Sequence, residues 1–294
     1  MKSRLSKLVL VAALFALCLN ASAAHPFLCC DYNGGRVCLV SAEGKVEWDY
    51  PCKSPQDCWR LDNGNILFCF VSGALEVTPA KKIVWEYKAP TNVEVHACQP
   101  LPGGNVLVVE AGTSRIIEVD RAGKIAKEIK LTTVPEVKLH NQYRGTRKTR
   151  DGHYLVCFKG EGKVVELDGD GKVLRAIKVP GDPHEVLPLP DGHLLVTCGD
   201  GHKAIELDFS GKVVWELNEN DLPGNPLRLM AGAHRLPNGN TVFCNYLGHG
   251  HLGKQPHVIE VTRDKKVVWQ FEDHAQFKTI NQIQVLDVAG RPVR

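Results

Sequence analysis

The chain is built from short apolar runs broken by polar, glycine-bearing turns. The stretch from His234 to Cys244 is representative: an apolar run, a tight Pro237-Asn238-Gly239 turn, then Thr241-Val242-Phe243-Cys244. Asn-Gly between two such runs predicts a hairpin, because both residues tolerate positive φ. The arrangement recurs at Leu61–Leu67, Leu101–Leu107, Thr149–Leu155 and Leu189–Leu195. The turn glycines 64, 104, 152, 192 and 239 stand 40, 48, 40 and 47 residues apart. Between the copies lies a second recurrent turn, at Glu43–Trp48, Lys81–Glu86, Ser210–Glu216 and Asp264–Trp269. The segments Ala122–Ile125 and Asp170–Leu174 repeat it without the Trp. Each repeat therefore predicts two hairpins, and four strands per repeat of about 40–50 residues is a β-propeller pattern.

The ends of the chain fix the number of blades. Phe27–Tyr32, Arg36–Ala42 and Lys45–Tyr50 predict three strands with no innermost strand before them. Five innermost strands follow, one per turn glycine. A sixth, at Thr279–Val288, stands alone near the C-terminus. Pairing it with the first three strands closes the ring and leaves no long edge open. The expectation is an all-β, six-bladed propeller with four antiparallel strands per blade. The other five blades fall at about 56–88, 95–130, 140–179, 183–217 and 229–272. No linker separates them, so residues 25–294 read as a single domain. A short turn is expected within 218–228.

Residues 1–24 read as a secretory signal. Lys2, Arg4 and Lys7 precede an apolar core, Leu8 to Leu19, and Ala21-Ser22-Ala23 offers a cleavage site. The apolar run is short for a bilayer span, and the bulky Leu17 before Cys18 fits a lipidation signal poorly. The expected location is periplasmic or secreted. Without the signal, 33 basic and 33 acidic residues remain. A balanced charge gives no reason to expect nucleic acid or a membrane surface as partner, and no later segment predicts a transmembrane helix. A monomer is the expectation.

Ten cysteines remain after the signal. Export permits disulfides. Cys52 with Cys58, and Cys29 or Cys30 with Cys38, are the candidate bridges. Cys69, Cys157 and Cys244 each lie five residues after a turn glycine, where the other repeats hold Val109 and Thr197. A small apolar slot explains those five positions, since a free thiol behaves as a small hydrophobe. Trp48, Trp85, Trp215 and Trp269 sit on outermost strands and are expected to pack blade against blade.

Candidate chemistry gathers at one rim. Innermost strands all begin on the same side of the ring, so their first residues converge on the mouth of the channel. Eight residues before each turn glycine stand Gln56, His96, Arg144, His184 and Ala231, with Asn281 or Gln282 on the sixth strand. Three of these can carry positive charge. The polar segment carrying His140, Tyr143 and Arg144, and the long loop from Tyr246 to His257, fall on the same face. Guanidinium grips a carboxylate, sulfate or phosphate bidentately, and imidazole exchanges protons near neutral pH. The set points to a small polar or anionic ligand. His249, His251 and His257 raise a metal alternative, but on a glycine-rich loop with no carboxylate the pattern is weak, and no metal is assigned. No nucleophile triad, phosphate-binding loop or Cys-x-x-Cys is present, and no cofactor is identified.

His96 and His184 lead into Leu-Pro-Gly-Gly-Asn and Leu-Pro-Asp-Gly-His. Together with Leu-Pro-Asn-Gly-Asn and Gly-Lys-Val-Val-Trp-Glu, these motifs resemble bacterial arylsulfotransferase-like six-bladed propellers and the wider PQQ-like repeat proteins. The likeness is at repeat level over nearly all of the chain after the signal. It implies that a channel histidine could take a sulfuryl group beside other histidines and an arginine. The matching positions are His96, Arg144, His184 and His234. Three functions are thus open: a binding propeller, an enzyme using a rim histidine as nucleophile or base, and a protein-interaction scaffold.

Overall fold

A computed structural model describes residues 24–288. Six four-stranded antiparallel sheets stand around a ring, as the repeat predicts. The first blade consists of Phe27–Asp31, Arg36–Val40 and Val46–Pro51, completed on the inside by Ile280–Val285. Phe27 pairs with Val285 and Cys30 with Gln282, so the last strand closes the ring as expected. The other innermost strands are Pro55–Arg60, Glu94–Pro100, Tyr143–Lys148, Glu185–Pro188 and Leu229–Arg235, opening the second to sixth blades in chain order. The segment 218–228 holds the expected short turn, with the Asp221 N–H on Asn218 O and the Asn225 N–H on Leu222 O, both at 3.1 Å, and single 3-10 turns lie at Leu139–Asn141 and Lys159–Glu161. No helix among the described residues is long and apolar enough to cross a membrane. The signal segment lies outside the described residues, apart from Ala24.

Position within a blade sets the burial of a strand. Val106–Ala111, second from the axis, is buried at every residue. Ile83–Lys88, outermost in its blade, alternates between exposed and buried over its second half. An inner strand is covered on both faces and reads as a continuous apolar run, whereas an outer one shows solvent on one face. The turns are three-residue loops rather than the two-residue hairpins that Asn-Gly suggests. The Gly64 N–H donates to Leu61 O (2.9 Å) and the Leu61 N–H to Asn65 O (2.9 Å). Gly64 alone takes positive φ, at 82°. Asn63 instead uses its side chain, whose Oδ1 accepts the Asn65 N–H at 2.9 Å. This is a type I turn closed by a left-handed glycine.

The outer tryptophans join neighbouring blades, as expected. Trp48 Nε1 donates to Pro79 O of the next blade, Trp85 to Asp120 O and Trp215 to Arg263 O, at 2.8–2.9 Å. Trp269 meets the first blade through Phe27, with ring centroids 6.0 Å apart. In the fourth blade, which lacks the Trp, Arg175 Nη1 reaches Phe209 O of the fifth blade.

All ten described cysteines are buried free thiols, so the proposed bridges are not formed. Cys29 faces Cys38 across paired strands, but both sit in an apolar cluster with Phe27 and Val40. Cys30, Cys52 and Cys58 lie in another, with Ile66 and Phe68. Burial pushes the Cys52 thiol up to about 12 and those of Cys29 and Cys30 well above the usual range. They serve as small apolar side chains, the role predicted for Cys69, Cys157 and Cys244.

Candidate functional site: a one-ended pocket on the propeller axis

The innermost strands depart from regular pairing at one common level. The register breaks between Pro55 and Asp57, Val95 and Ala97, Tyr143 and Thr146, and Met230 and Ala233. On the closing strand it breaks opposite Asn281. The residues left out of the ladder include Gln56, His96, Arg144, Ala231 and Asn281. In the fifth blade, His184 stands just before the strand, its N–H on Thr197 O at 2.9 Å. A bulge re-aims a side chain, and here the bulged side chains meet on the axis. With the next residue of each strand they line a cavity of about 30 Å³. That is room for one or two water-sized groups.

Beneath this ring lies a second one, of Asp57, Ala97, Gly145, Glu185, Gly232 and Gln282. Two of its members must be glycine. A Cβ on Gly145 would stand 2.5 Å from Glu185 Oε1, and one on Gly232 would stand 2.2 Å from Gln282 Oε1. Arg147 rises into this ring from below. Its Nη1 donates to Asp57 Oδ2 (2.9 Å) and its Nη2 to Glu185 Oε2 (2.7 Å). Gln282 Nε2 reaches the same Glu185 oxygen at 2.8 Å. Asp57 and Glu185 belong to the second and fifth blades, on opposite sides of the ring, so the network crosses the axis and forms a floor. Burial disfavours the Arg147 charge, but Asp57 and Glu185 outweigh it and raise its pKa.

Arg144 sits above the floor in the opposite condition. It is 6 % exposed and makes no ion pair among the described residues. Its Nη1 donates to His96 Nδ1 (2.6 Å) and to Tyr143 O (2.9 Å). Burial lowers its pKa to about 10, against the pull of Glu94 and other groups. The Arg144 bond fixes the state of His96: Nδ1 accepts, so Nε2 carries the proton and donates to Glu94 Oε2 at 3.0 Å. His140 Nδ1 meets that same oxygen at 2.7 Å. Burial, then Arg144, push His96 down to about 3. The same two causes, in the same order, hold His184 well below its ordinary value and lower His140. The imidazoles are thus neutral near pH 7. Glu94, His96 and His140 have the donor atoms of a metal site, but the His96 lone pair is already given to Arg144. The arrangement suits a hydrogen-bond relay better than a cation.

Further open valences face the same space. Gln56 Nε2 and Asn281 Oδ1 are buried without hydrogen-bond partners. His184 Nδ1 lies 3.3 Å from Asp182 O, so this nitrogen carries the proton and Nε2 keeps its lone pair.

Six of the nine predicted site residues line the cavity: Gln56, His96, Arg144, His184, Asn281 and Gln282. His140 stands beside them through Glu94. Tyr143 and His234 do not belong there. The Tyr143 ring turns into the core between the third and fourth blades, its centroid 5.0 Å from that of Phe158. His234 lies lower on its strand, fully buried, with Nδ1 accepting the Val285 N–H at 3.0 Å. The loop histidines do not converge either. His249 pairs with Asp200 and His251 with Arg228, while His257 is buried beside Phe271 and Phe277. Sequence reasoning missed Glu94, Asp57, Arg147 and Glu185. Asp57 and Glu185 each directly follow a residue that was found, which was the available signal.

Together these features define a six-bladed propeller floored across its axis, with a polar pocket open on one rim. Residues 36–266 match the Mal s 1 allergenic protein-like family, and the chain belongs to it. No curated protein matches the chain. A protein of unknown function from Bacteroides caccae superimposes with a TM-score of 0.82 at 29% identity, over 92% of this chain and 99% of that one. A streptogramin B lyase gives a TM-score of 0.62 at 12% identity, over 88% and 87%. A virginiamycin B lyase from Staphylococcus aureus gives 0.59 at 14%, over 88% of each chain. The two lyases share the fold. The six-bladed propeller expected from the repeats is thus present, and the arylsulfotransferase-like likeness is carried by the sequence motifs alone.

Proposed function

We propose that this protein is an exported binding propeller whose rim pocket takes the anionic group of a small polar ligand. The signal-like N-terminus supports export, and the site is complete within one chain. The observation that carries the reading is Arg144: a buried guanidinium without an ion pair among the described residues, lining a cavity whose upper wall is otherwise neutral imidazoles, amides and Ala231, above carboxylates held by Arg147. Such a charge is costly unless paired, and an anion would pair it. Titrating the protein with acetate, sulfate and phosphate in a calorimeter tests this. At least one should bind the native protein and none should bind Arg144→Gln. Equal binding to both proteins would refute the reading.

A second reading is enzymatic, with His184 as nucleophile or base. Its Nε2 keeps a lone pair at the pocket, whereas both His96 nitrogens are engaged. The arylsulfotransferase-like repeats and the lyase neighbours motivate an assay with an aryl sulfate and a phenol acceptor. Turnover that disappears in His184→Ala would favour it.

A further inference from the structure

The mouth has a second half, made of rings. Tyr32 follows the strand Phe27–Asp31, and its N–H donates to Thr279 O (2.8 Å), just ahead of the closing strand that brings Asn281 to the cavity. Tyr246 ends the strand Thr241–Tyr246 opposite Leu229, where the sixth innermost strand begins. Both tyrosines therefore stand on the pocket rim, and both are partly exposed. Their ring centroids are 6.0 Å apart at an interplanar angle of 80°. His249 continues the row, 5.6 Å from Tyr246 at 85°. Tyr32 belongs to the first blade and Arg144 to the fourth, three places round a six-membered ring. The cation and the aromatic row thus face each other across the mouth, and the Tyr32 hydroxyl lies within electrostatic reach of the guanidinium.

Charge and size narrow the head of the ligand. Among the described residues Arg144 is the one cation lining the cavity without an ion pair, and the imidazoles beside it are neutral. The floor sets two carboxyl groups, Asp57 and Glu185, against one guanidinium. A monoanion balances Arg144; a phosphate dianion would bring excess charge towards those carboxyls. A carboxylate is planar and offers two oxygens to a guanidinium edge. A cavity of about 30 Å³ admits little more than that head, so the body of the ligand must stay above it, at the level of the rings.

We propose that the pocket receives an aromatic carboxylic acid, its carboxylate against Arg144 and its ring edge-to-face on Tyr32 and Tyr246. This rests on the anion-binding reading and adds the class of ligand to it. The test measures the affinities of acetate, cyclohexylacetate, phenylacetate and phosphate for the native protein, Tyr32→Ala, Tyr32→Leu and Tyr246→Ala. Thermal melts check that each variant is folded, and the second Tyr32 variant covers failure of the first. Phenylacetate should bind the native protein about ten-fold more tightly than acetate, and more tightly than cyclohexylacetate, through its ring contacts. In the tyrosine variants the phenylacetate-to-acetate ratio should fall towards one. A ratio near one in the native protein, an unchanged ratio in all the variants, or a preference for phosphate would overturn the aromatic acid while leaving an anion site in place. Binding of none of the four would remove both proposals.

Discussion

Arg144 and Arg147 lie three residues apart on one strand, both buried, and their replacements should behave in opposite ways. Arg147 holds Asp57 and Glu185 at 2.9 and 2.7 Å. Arg147→Met would leave both buried carboxylates without their guanidinium, and breaking a buried ion pair costs about 3–5 kcal/mol. At roughly 2–4 °C per kcal/mol for a chain of this size, the melting temperature should fall by roughly 6–20 °C. Arg144 has no such partner. Lowering its pKa from 12.5 to about 10 corresponds to about 3 kcal/mol against the charged form. Arg144→Met relieves that strain and gives up the bonds from its charged donor to His96 and Tyr143 O, at about 1.5–3 kcal/mol each. The two effects largely offset, so the loss should stay below about 3 kcal/mol, less than for Arg147→Met. Urea denaturation and thermal melts at pH 7 measure both variants. Adding Asp57→Asn and Glu185→Gln to Arg147→Met should restore most of the loss. If Arg144→Met destabilises as strongly as Arg147→Met, Arg144 is a structural group and the argument for an anion site fails.

Three further outcomes follow from the same geometry. His257 is fully buried, and burial lowers its pKa to about 4. Between pH 6.5 and 4 the unfolded chain binds a proton there that the native one does not, so stability falls with pH across that window, by about 3 kcal/mol from this residue; melts from pH 7 to 4 should slope less steeply in His257→Gln. Gly145→Ala should cost about 1–3 kcal/mol by overpacking, because its Cβ would meet Glu185 Oε1 at 2.5 Å; denaturation midpoints check this. Trp85→Phe keeps the ring packing but loses the bond to Asp120 O, and should lower stability by about 1 kcal/mol in the same assay.

The ring and its closure were legible because they depend on backbone rules that repeat. A left-handed glycine follows five of the six innermost strands, so the spacing of glycines, with the lone last strand, counts the blades. The alternation of Ile83–Lys88 against the unbroken burial of Val106–Ala111 shows which strand is outermost. Counting back from the turn glycines also found the mouth, because four of these five strands place a bulge at one distance from the turn and the fifth places His184 there. The count worked although the bulges themselves were not foreseen. Their consequences were then hidden. In a regular strand the residues at i and i+3 point to opposite faces, so Arg147 could not be placed below Arg144. The broken register between Tyr143 and Thr146 shifts the alternation by a residue and brings both arginines to the axis. It also sends Tyr143, which adjacency had grouped with Arg144, into the core. Glu94 was hidden for another reason. It matters through His96 and His140, and His140 reaches it across 46 residues of sequence. Ladder geometry thus carries over from sequence to structure, whereas the pairing of charges does not. The pocket depends on both: bulges put two guanidiniums on one axis, and only the carboxylates of other blades decide that one is held and the other left without an ion pair.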